Sequence, residues 1–279
     1  MQPWLWHFED RIDASPWIVI ENYFDEEHLT ALHSRHVASS RILERSGRAA
    51  LHEIRTRILG IPVAHLEWIQ FNPPGELVFR SRALLGSMEV RAVLHIEADG
   101  AGSRIRTDYT IMPAWFWRPF KSLLLDRMKA WKMPVWEEDK PLLLRREKLF
   151  RAGFRGGALK TMVSLPPAPE PPPAPPAPGG WLPFCTLQEV REKGRIVRWM
   201  DARREVCALW HGGKLQVFDA VCPHAGGPLG ECGVREGVPV LRCSWHGYVF
   251  RLDDGVGSQG LSLGSFPHKV EDGVVFVRF

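Results

Sequence analysis

The sequence has no run of about 18 or more apolar residues, the length a helix needs to cross a bilayer, so we expect no membrane association. Its N-terminus lacks a basic segment followed by an apolar stretch, so we expect no signal peptide. Cysteine is sparse and odd in number, five in 279 residues, which argues against a secreted disulfide scaffold and favours reduced thiols in the cytoplasm. The formal charge is only +4 and no basic stripe stands out, so nucleic acid is not an expected partner.

Proline, by contrast, is concentrated in one segment. Residues 166–178 read PPAPEPPPAPPAP, nine prolines in thirteen residues. Because proline fixes φ and has no backbone N–H, this segment predicts an extended spacer of about 40 Å. A proline-rich ligand for an aromatic groove of a partner is the alternative interpretation. The expected organisation is therefore a domain at 1–163, a Pro-rich linker at 164–180 and a second domain at 181–279.

The two expected domains differ in their hydrophobic patterns. The first predicts a helix near 25–46, three strands and two C-terminal helices, which together indicate an α+β class; the strands are Glu76–Arg82, Val90–Glu97 and Arg104–Met112, and the helices are 115–131 and 138–151. The second predicts a small all-β domain of short strands separated by turns; these are Arg195–Trp199, Glu205–Trp210, Leu215–Asp219, Val238–Arg242, Tyr248–Leu252 and Val274–Phe279.

Two Cys–His pairs lie in the second domain. The pairs are Cys222-Pro-His224, with Gly226-Gly227 one residue further on, and Cys243-Ser-Trp-His246, with Gly247 directly after it; 18 residues separate them. That interval is long enough for a hairpin that returns the second loop beside the first. Two thiolates with two imidazoles suit either zinc or an iron–sulfur centre. Zinc fingers usually keep two Cys in one knuckle and two His in a helix, whereas here each loop has one of each.

This pattern resembles the Rieske 2Fe–2S family, whose motif is C-x-H followed by C-x-x-H. The resemblance implies a 2Fe–2S cluster in which Cys222 and Cys243 hold one iron while His224 and His246 hold the other, with a potential above that of all-Cys clusters. The respiratory branch of the family adds one Cys to each loop, and Gly227 and Trp245 stand at those places. The domain is therefore more similar to the ferredoxin or oxygenase branch.

A glycine-rich segment, 255–260, matches G-x-G-x-x-G, the fingerprint of dinucleotide-binding loops. That fingerprint has its meaning only between a strand and a helix of a βαβ unit, and neither a helix nor such a unit follows here. We therefore expect an ordinary loop without a bound dinucleotide.

A second group of candidate ligands lies near the N-terminus: Asp25, His28 and His33. On a straight helix Asp25 and His28 share a face, but His28 and His33 are about 140° apart. A surface helix with scattered histidines is therefore an open interpretation.

The spacing N-x-x-D-x-x-H-x-x-x-x-H is also similar to the mononuclear iron motif of Rieske oxygenases. The resemblance implies a helix-grip (START-like) catalytic domain in which His28, His33 and a late carboxylate bind Fe(II). Asp139 matches that carboxylate and Glu138 is the alternative. Asp25 matches the residue that links the iron-binding histidine to a Rieske histidine, and Asn22 falls near the iron.

The resemblance implies a Rieske-type non-haem iron oxygenase whose two domains stand in reversed order. It would use O2 and electrons from a separate NAD(P)H-dependent reductase or ferredoxin to hydroxylate or dealkylate a small aromatic or cyclic substrate. The reversed order leaves open whether the family's usual homotrimer forms. The alternative hypothesis is a non-catalytic electron carrier or redox sensor that pairs a ligand-binding helix-grip domain with a Rieske ferredoxin.

Overall fold

The computed structural model describes residues 2–58, 61–84, 86–154, 179–234 and 239–279. The chain divides into two compact units, with residues up to Glu147 in the first and the β-rich C-terminal residues in the second. The predicted Pro-rich linker at 164–180 falls almost wholly outside the described residues. Within the described ranges, no helix combines the length and hydrophobicity that crossing a bilayer requires.

The first unit is built on one seven-stranded antiparallel sheet in the order β1-β7-β6-β5-β4-β3-β2. Two short helices, α1 (Pro16–Phe24) and α2 (Glu26–Ala31), connect β1 to β2. The strands are β1 (Trp4–Ile12), β2 (Val37–Ser46), β3 (Ala49–Ile58), β4 (Ile61–Asn72), β5 (Glu76–Ala83), β6 (Met88–Asp99) and β7 (Gly102–Pro113). Successive strands from β2 to β7 pair as a meander, and β1 closes on β7.

A long helix, α3 (Lys121–Arg151), follows a 3-10 turn at Trp115–Phe120. At 31 residues it is about 46 Å long, and it continues through Pro134 and Pro141. A meander sheet with two short connecting helices and one long C-terminal helix is the helix-grip arrangement. The expected α+β helix-grip class is therefore confirmed.

The structure corrects two of the predicted elements. The segment 25–46 is not one helix, because α2 ends at Ala31 and β2 occupies Val37–Ser46, where burial alternates from residue to residue. Gly47, with φ +55, then turns the chain into β3. The two predicted C-terminal helices are one helix preceded by the 3-10 turn, because the interior prolines do not end it.

The second unit is all-β apart from the short helix α4 (Leu187–Lys193), as expected. Its strands form two three-stranded sheets and one hairpin; they are β8 (Trp181–Thr186), β9 (Arg195–Trp199), β10 (Glu205–His211), β11 (Lys214–Asp219), β12 (Val240–Arg242), β13 (Val249–Arg251), β14 (His268–Glu271) and β15 (Val274–Arg278). The sheets enclose a core that includes Val206, Val217 and Val275. The hairpin β12–β13 carries the second Cys–His pair in its connection.

One pair of adjacent residues on β7 allows a test of the sheet's core. Ile111 is fully buried in a cluster with Trp4 and Met88, whereas Met112 points outward and is 46 % exposed. We expect Ile111→Ala to lower the free energy of unfolding by about 2–5 kcal/mol, through lost burial and an unfilled cavity. Met112→Ala is the control, with an expected change of about 0.5 kcal/mol or less. Urea unfolding followed by circular dichroism measures both, and equal effects would contradict the assigned strand register.

Candidate functional site

The first Cys–His loop follows β11 and is closed by its own backbone. The Gly226 N–H donates to the Cys222 carbonyl at 2.8 Å, and the Cys222 N–H donates to the Gly227 carbonyl at 2.8 Å. Gly226 has φ +80, a left-handed conformation that costs other residues free energy. The glycine therefore lets the loop fold back so that Cys222 and His224 lie on one short turn.

The second loop connects β12 to β13 and repeats this pattern. The Gly247 N–H donates to the Cys243 carbonyl at 2.9 Å, and the Cys243 N–H donates to the Tyr248 carbonyl at 2.7 Å. Gly247 also has positive φ, +72. Two loops of different sequence thus have the same closing hydrogen bonds, and each presents one thiol and one imidazole.

The four predicted cluster ligands come together. The rings of His224 and His246 have centroids 4.6 Å apart and are nearly perpendicular. Cys222 and Cys243 are buried, and a hydrogen bond from Cys222 lowers the pKa of the Cys243 thiol although burial raises it. The two thiols therefore face one another. Two sulfurs and two imidazoles around one point fit the donor set of a Rieske 2Fe–2S cluster.

Two further features of this site were not predicted from the sequence. Tyr248 stacks on the His224 ring, with centroids 4.1 Å apart, and its hydroxyl donates to the Gln259 side-chain oxygen at 3.0 Å. Gly227 leaves no room for a side chain, because a Cβ there would lie 2.6 Å from Cys243 Sγ. Gln259 belongs to the 255–260 loop, so this hydrogen bond connects that loop to the ring that stacks on His224.

In the first unit, a break between two helices positions the N-terminal candidates. Asp25 ends α1 and begins α2 with non-helical torsions, φ −87 and ψ 84. Because α2 ends at Ala31, His33 lies in the following turn and not on the helix of His28. The predicted angle of about 140° between the two histidines therefore does not apply.

His28, His33 and Asp139 form a buried group of potential metal ligands, each at most 6 % exposed, with one atom from each residue within 4.8 Å of the others. His33 Nε2 lies 3.0 Å from Asp139 Oδ1, and His28 Nε2 lies 3.5 Å from the same oxygen. Helix α2 and the turn after it thus meet α3 through residues more than 100 positions apart. Two imidazoles and one carboxylate are also the ligand types of the facial triad that binds ferrous iron.

The other nitrogen of each ring is also engaged. His28 Nδ1 contacts the Asp25 carbonyl oxygen, and His33 Nδ1 lies 2.7 Å from Glu138 Oε2. Metal-binding histidines usually donate their second N–H to a carbonyl or carboxylate, which fixes the tautomer and leaves Nε2 for the metal. Glu138, the alternative third ligand, therefore contacts the outer side of His33 in this structure.

Electrostatics within this group favour an ionised carboxylate. Burial raises the pKa of Asp139, but hydrogen bonds from His28 and His33 outweigh it and hold that pKa well below its usual range. Burial lowers the pKa of His33, but Asp139 and Glu138 outweigh it, so the pKa lies above its ordinary value. A buried, charged carboxylate and two imidazoles together form a suitable ligand set for a cation.

Asp25 and Asn22 lie beside this group. The Asp25 carboxylate does not cap α2; it accepts a hydrogen bond from Arg146 on α3 and lies 3.9 Å from His28 Nδ1. Arg146 is only 6 % exposed and was not predicted from the sequence. Asn22 is 3 % exposed, and among the described residues its side-chain oxygen accepts no hydrogen bond.

The fold and sites together define a helix-grip domain with a buried two-His, one-carboxylate group, followed by a β-domain with paired Cys–His loops. The family model of the Rieske [2Fe-2S] domain matches residues 180–260. The C-terminal unit therefore contains a Rieske domain, for which a 2Fe–2S cluster is the implied cofactor.

Among curated proteins, the chain is similar to a human Rieske domain-containing protein, with 39 % identity over 56 residues, 19 % of this chain and 36 % of that protein. It is also similar to the ferredoxin component of the alkene monooxygenase system of Xanthobacter autotrophicus, with 36 % identity over 75 residues, 26 % of this chain and 61 % of that protein. The chain thus spans less than two thirds of the length of either relative.

Among solved structures, the chain is similar to TTHA0849 from Thermus thermophilus, with 19 % identity and a TM-score of 0.44. The similarity covers 50 % of this chain and 97 % of that one.

Proposed function

We propose that the chain is a Rieske-type non-haem iron oxygenase that uses O2 and externally supplied electrons to hydroxylate or dealkylate a small aromatic or cyclic molecule. The observation that carries this proposal is the buried group of His28, His33 and Asp139 in a chain that also contains a Rieske domain. A carrier needs only the cluster loops, whereas an oxygenase needs a second metal centre with open positions for O2.

In this proposal, His28 and His33 would hold mononuclear Fe(II) through Nε2, and Asp139 would be the third ligand. When bound, the iron would supply O2 activation, and the 2Fe–2S cluster would supply electrons one at a time. Hydrogen bonds at the Nδ1 atoms would orient the two rings: His28 contacts the Asp25 carbonyl and His33 contacts Glu138. Arg146 fixes the Asp25 carboxylate, the proposed link to the cluster domain.

The proposed electron donor is a separate NAD(P)H-dependent reductase or ferredoxin. The cluster ligands Cys222, His224, Cys243 and His246 would receive these electrons through a Rieske domain similar to a ferredoxin component. The substrate would bind in the first unit, beside the buried histidines.

Iron content distinguishes this function from its alternative. After anaerobic reconstitution with Fe(II) and removal of loosely bound metal, the oxygenase proposal predicts three irons per chain, with an unchanged absorbance of the oxidised cluster. Two irons per chain would contradict it. The measurement requires no knowledge of the substrate.

The alternative is an electron carrier or redox sensor that joins a ligand-binding helix-grip domain to a Rieske ferredoxin. It is favoured by the similarity of the C-terminal unit to the ferredoxin component of a monooxygenase system. Under this alternative, His28, His33 and Asp139 are a structural hydrogen-bonded group, and iron would stop at two per chain.

A further inference from the structure

Four polar side chains outside the three candidate iron ligands extend into the first unit from different elements. They are Tyr23 on α1, Glu67 on β4, Tyr109 on β7 and Lys132 on α3, here called the interior polar group. Glu67 alternates in register with Ile69 and Phe71, each only 1 % exposed, so it lies on the sheet face that covers the core. Its cross-strand neighbours are His52 on β3 and Ser81 on β5.

The group converges near Lys132. The Lys132 Nζ lies 5.7 Å from the centroid of the Tyr23 ring. Burial lowers the pKa of Lys132, but this effect is outweighed by nearby groups that raise it, namely Tyr109, Tyr23, Asp139 and Glu67. The side chain is therefore an ammonium. Burial raises the pKa of Glu67 to about 7, with partial compensation by Lys132. The group therefore contains one firmly held positive charge and a carboxyl group that is readily neutral.

These polar ends are not satisfied by one another. Among the residues that the structure describes, no hydrogen bond or ion pair engages the Tyr23 hydroxyl, the Tyr109 hydroxyl, the Lys132 ammonium or the Glu67 carboxylate. The neighbouring His52 is 3 % exposed, and its Nε2 has no partner in the same residues. Tyr109 is buried, whereas Tyr23, Glu67 and Lys132 are half-buried. Unpaired polar groups that converge at partly buried positions indicate a place where a ligand can bind.

Aromatic rings adjoin the same polar ends. Tyr23 packs edge-on against Phe79 at 5.5 Å between ring centroids, and Tyr109 stacks on Trp6 at 4.4 Å. Flat aromatic faces next to hydroxyl and ammonium donors suit a planar molecule that carries one acidic group.

We propose that the interior polar group binds a planar aromatic molecule with one oxyanion, a carboxylate or a phenolate, held by Lys132 and by hydrogen bonds from Tyr23 and Tyr109. This inference rests on the proposed function and narrows its substrate class. The Asp139 carboxylate is near enough to Lys132 to raise the pKa of that ammonium, so the proposed binding place adjoins the candidate iron ligands.

The test is calorimetric titration of the full chain, with its cluster oxidised and no reductant present, using 2-naphthoate and its neutral analogue 2-naphthamide. We expect naphthoate to bind one per chain and about tenfold more tightly than naphthamide. Lys132→Met should weaken naphthoate binding about tenfold and change naphthamide binding by less than about threefold. Lys129→Met, an exposed lysine of the same helix, is the matched control and should change neither.

Equal binding of the two probes to the unaltered protein, binding of neither, or an equal loss for both in Lys132→Met would overturn the inference. If Lys132→Met does not fold, the comparison of probes on the unaltered protein still decides, and Tyr23→Phe should weaken naphthoate selectively. Iron counted on the same samples separates the two proposals. Three irons without selectivity for naphthoate would overturn only this inference, and selectivity with two irons would overturn only the oxygenase.

Discussion

Asp139→Ala should lower the iron content from three to two per chain and abolish O2-dependent oxidation, while the absorbance of the oxidised cluster remains. The physical reason is that Asp139 Oδ1 lies close to the Nε2 atoms of both imidazoles. Loss of an outer partner typically costs 10–100-fold in metal affinity, so loss of a ligand should cost more than about 100-fold. Metal analysis and O2 consumption with a chemical reductant measure the two effects.

The control for this experiment is Asp126→Ala, which removes an exposed carboxylate from the same helix. It should keep three irons. Glu138→Ala should retain the third iron more weakly, because Glu138 contacts His33 at Nδ1 and not at Nε2. Retention of three irons by Asp139→Ala would remove the basis of the oxygenase proposal.

Gly227→Ala should prevent assembly of the 2Fe–2S cluster. An added Cβ would lie 2.6 Å from Cys243 Sγ and 3.3 Å from the Trp245 ring, so the sulfur could not keep its position. Overpacking of this kind costs about 1–3 kcal/mol even in a core without a cofactor. We expect purified Gly227→Ala to lack the visible absorbance of the oxidised cluster. It should also contain less than about a tenth of the two cluster irons.

The chain offers a matched control six residues later. A Cβ at Gly233 meets no atom of the described residues within 4 Å, and Gly233 is not in the left-handed region. Gly233→Ala should therefore keep the full cluster absorbance. A normal cluster in Gly227→Ala would show that the Cys243 side chain is not held where the structure has it.

The cluster loops could be predicted from the sequence because their information is local. Each loop is a run of six residues that closes on itself through backbone hydrogen bonds, and glycine marks the positive φ in each. The spacing of Cys222, His224, Cys243 and His246 therefore predicts proximity without knowledge of the rest of the fold. The stacking of Tyr248 on His224 was not predictable in this way, because it depends on the position of Gln259 in a separate loop.

The N-terminal group required more than local information. Helical spacing separates His28 from His33, and only the end of α2 at Ala31 brings them together. Asp139 was reached through a family resemblance, since no local pattern connects residues 106 positions apart. The sequence of β2 predicts a helix, because its residues are charged or weakly apolar and do not alternate in hydrophobicity. In the structure their burial alternates along the strand.

The interior polar group depends on tertiary structure still more strongly. Alternation in β4 places Glu67 on the face of Ile69 and Phe71, and this signal was available in the sequence. Whether Lys132 meets that face depends on the rotation of α3 over the sheet. Such a rotation is set by packing along the whole helix and not by any short motif.

The three candidate iron ligands come from two segments that only tertiary packing joins, the α2 region and the middle of α3. An ion that binds all three can bind only while α3 is docked. By mass action, occupancy would then shift the docking equilibrium by RT ln(1 + [Fe]/Kd), about 2.7 kcal/mol at a hundredfold excess over Kd. Ferrous ion would accordingly protect the amides of α3 from hydrogen exchange. The free energy of α3 docking would therefore depend on the concentration of free ferrous ion.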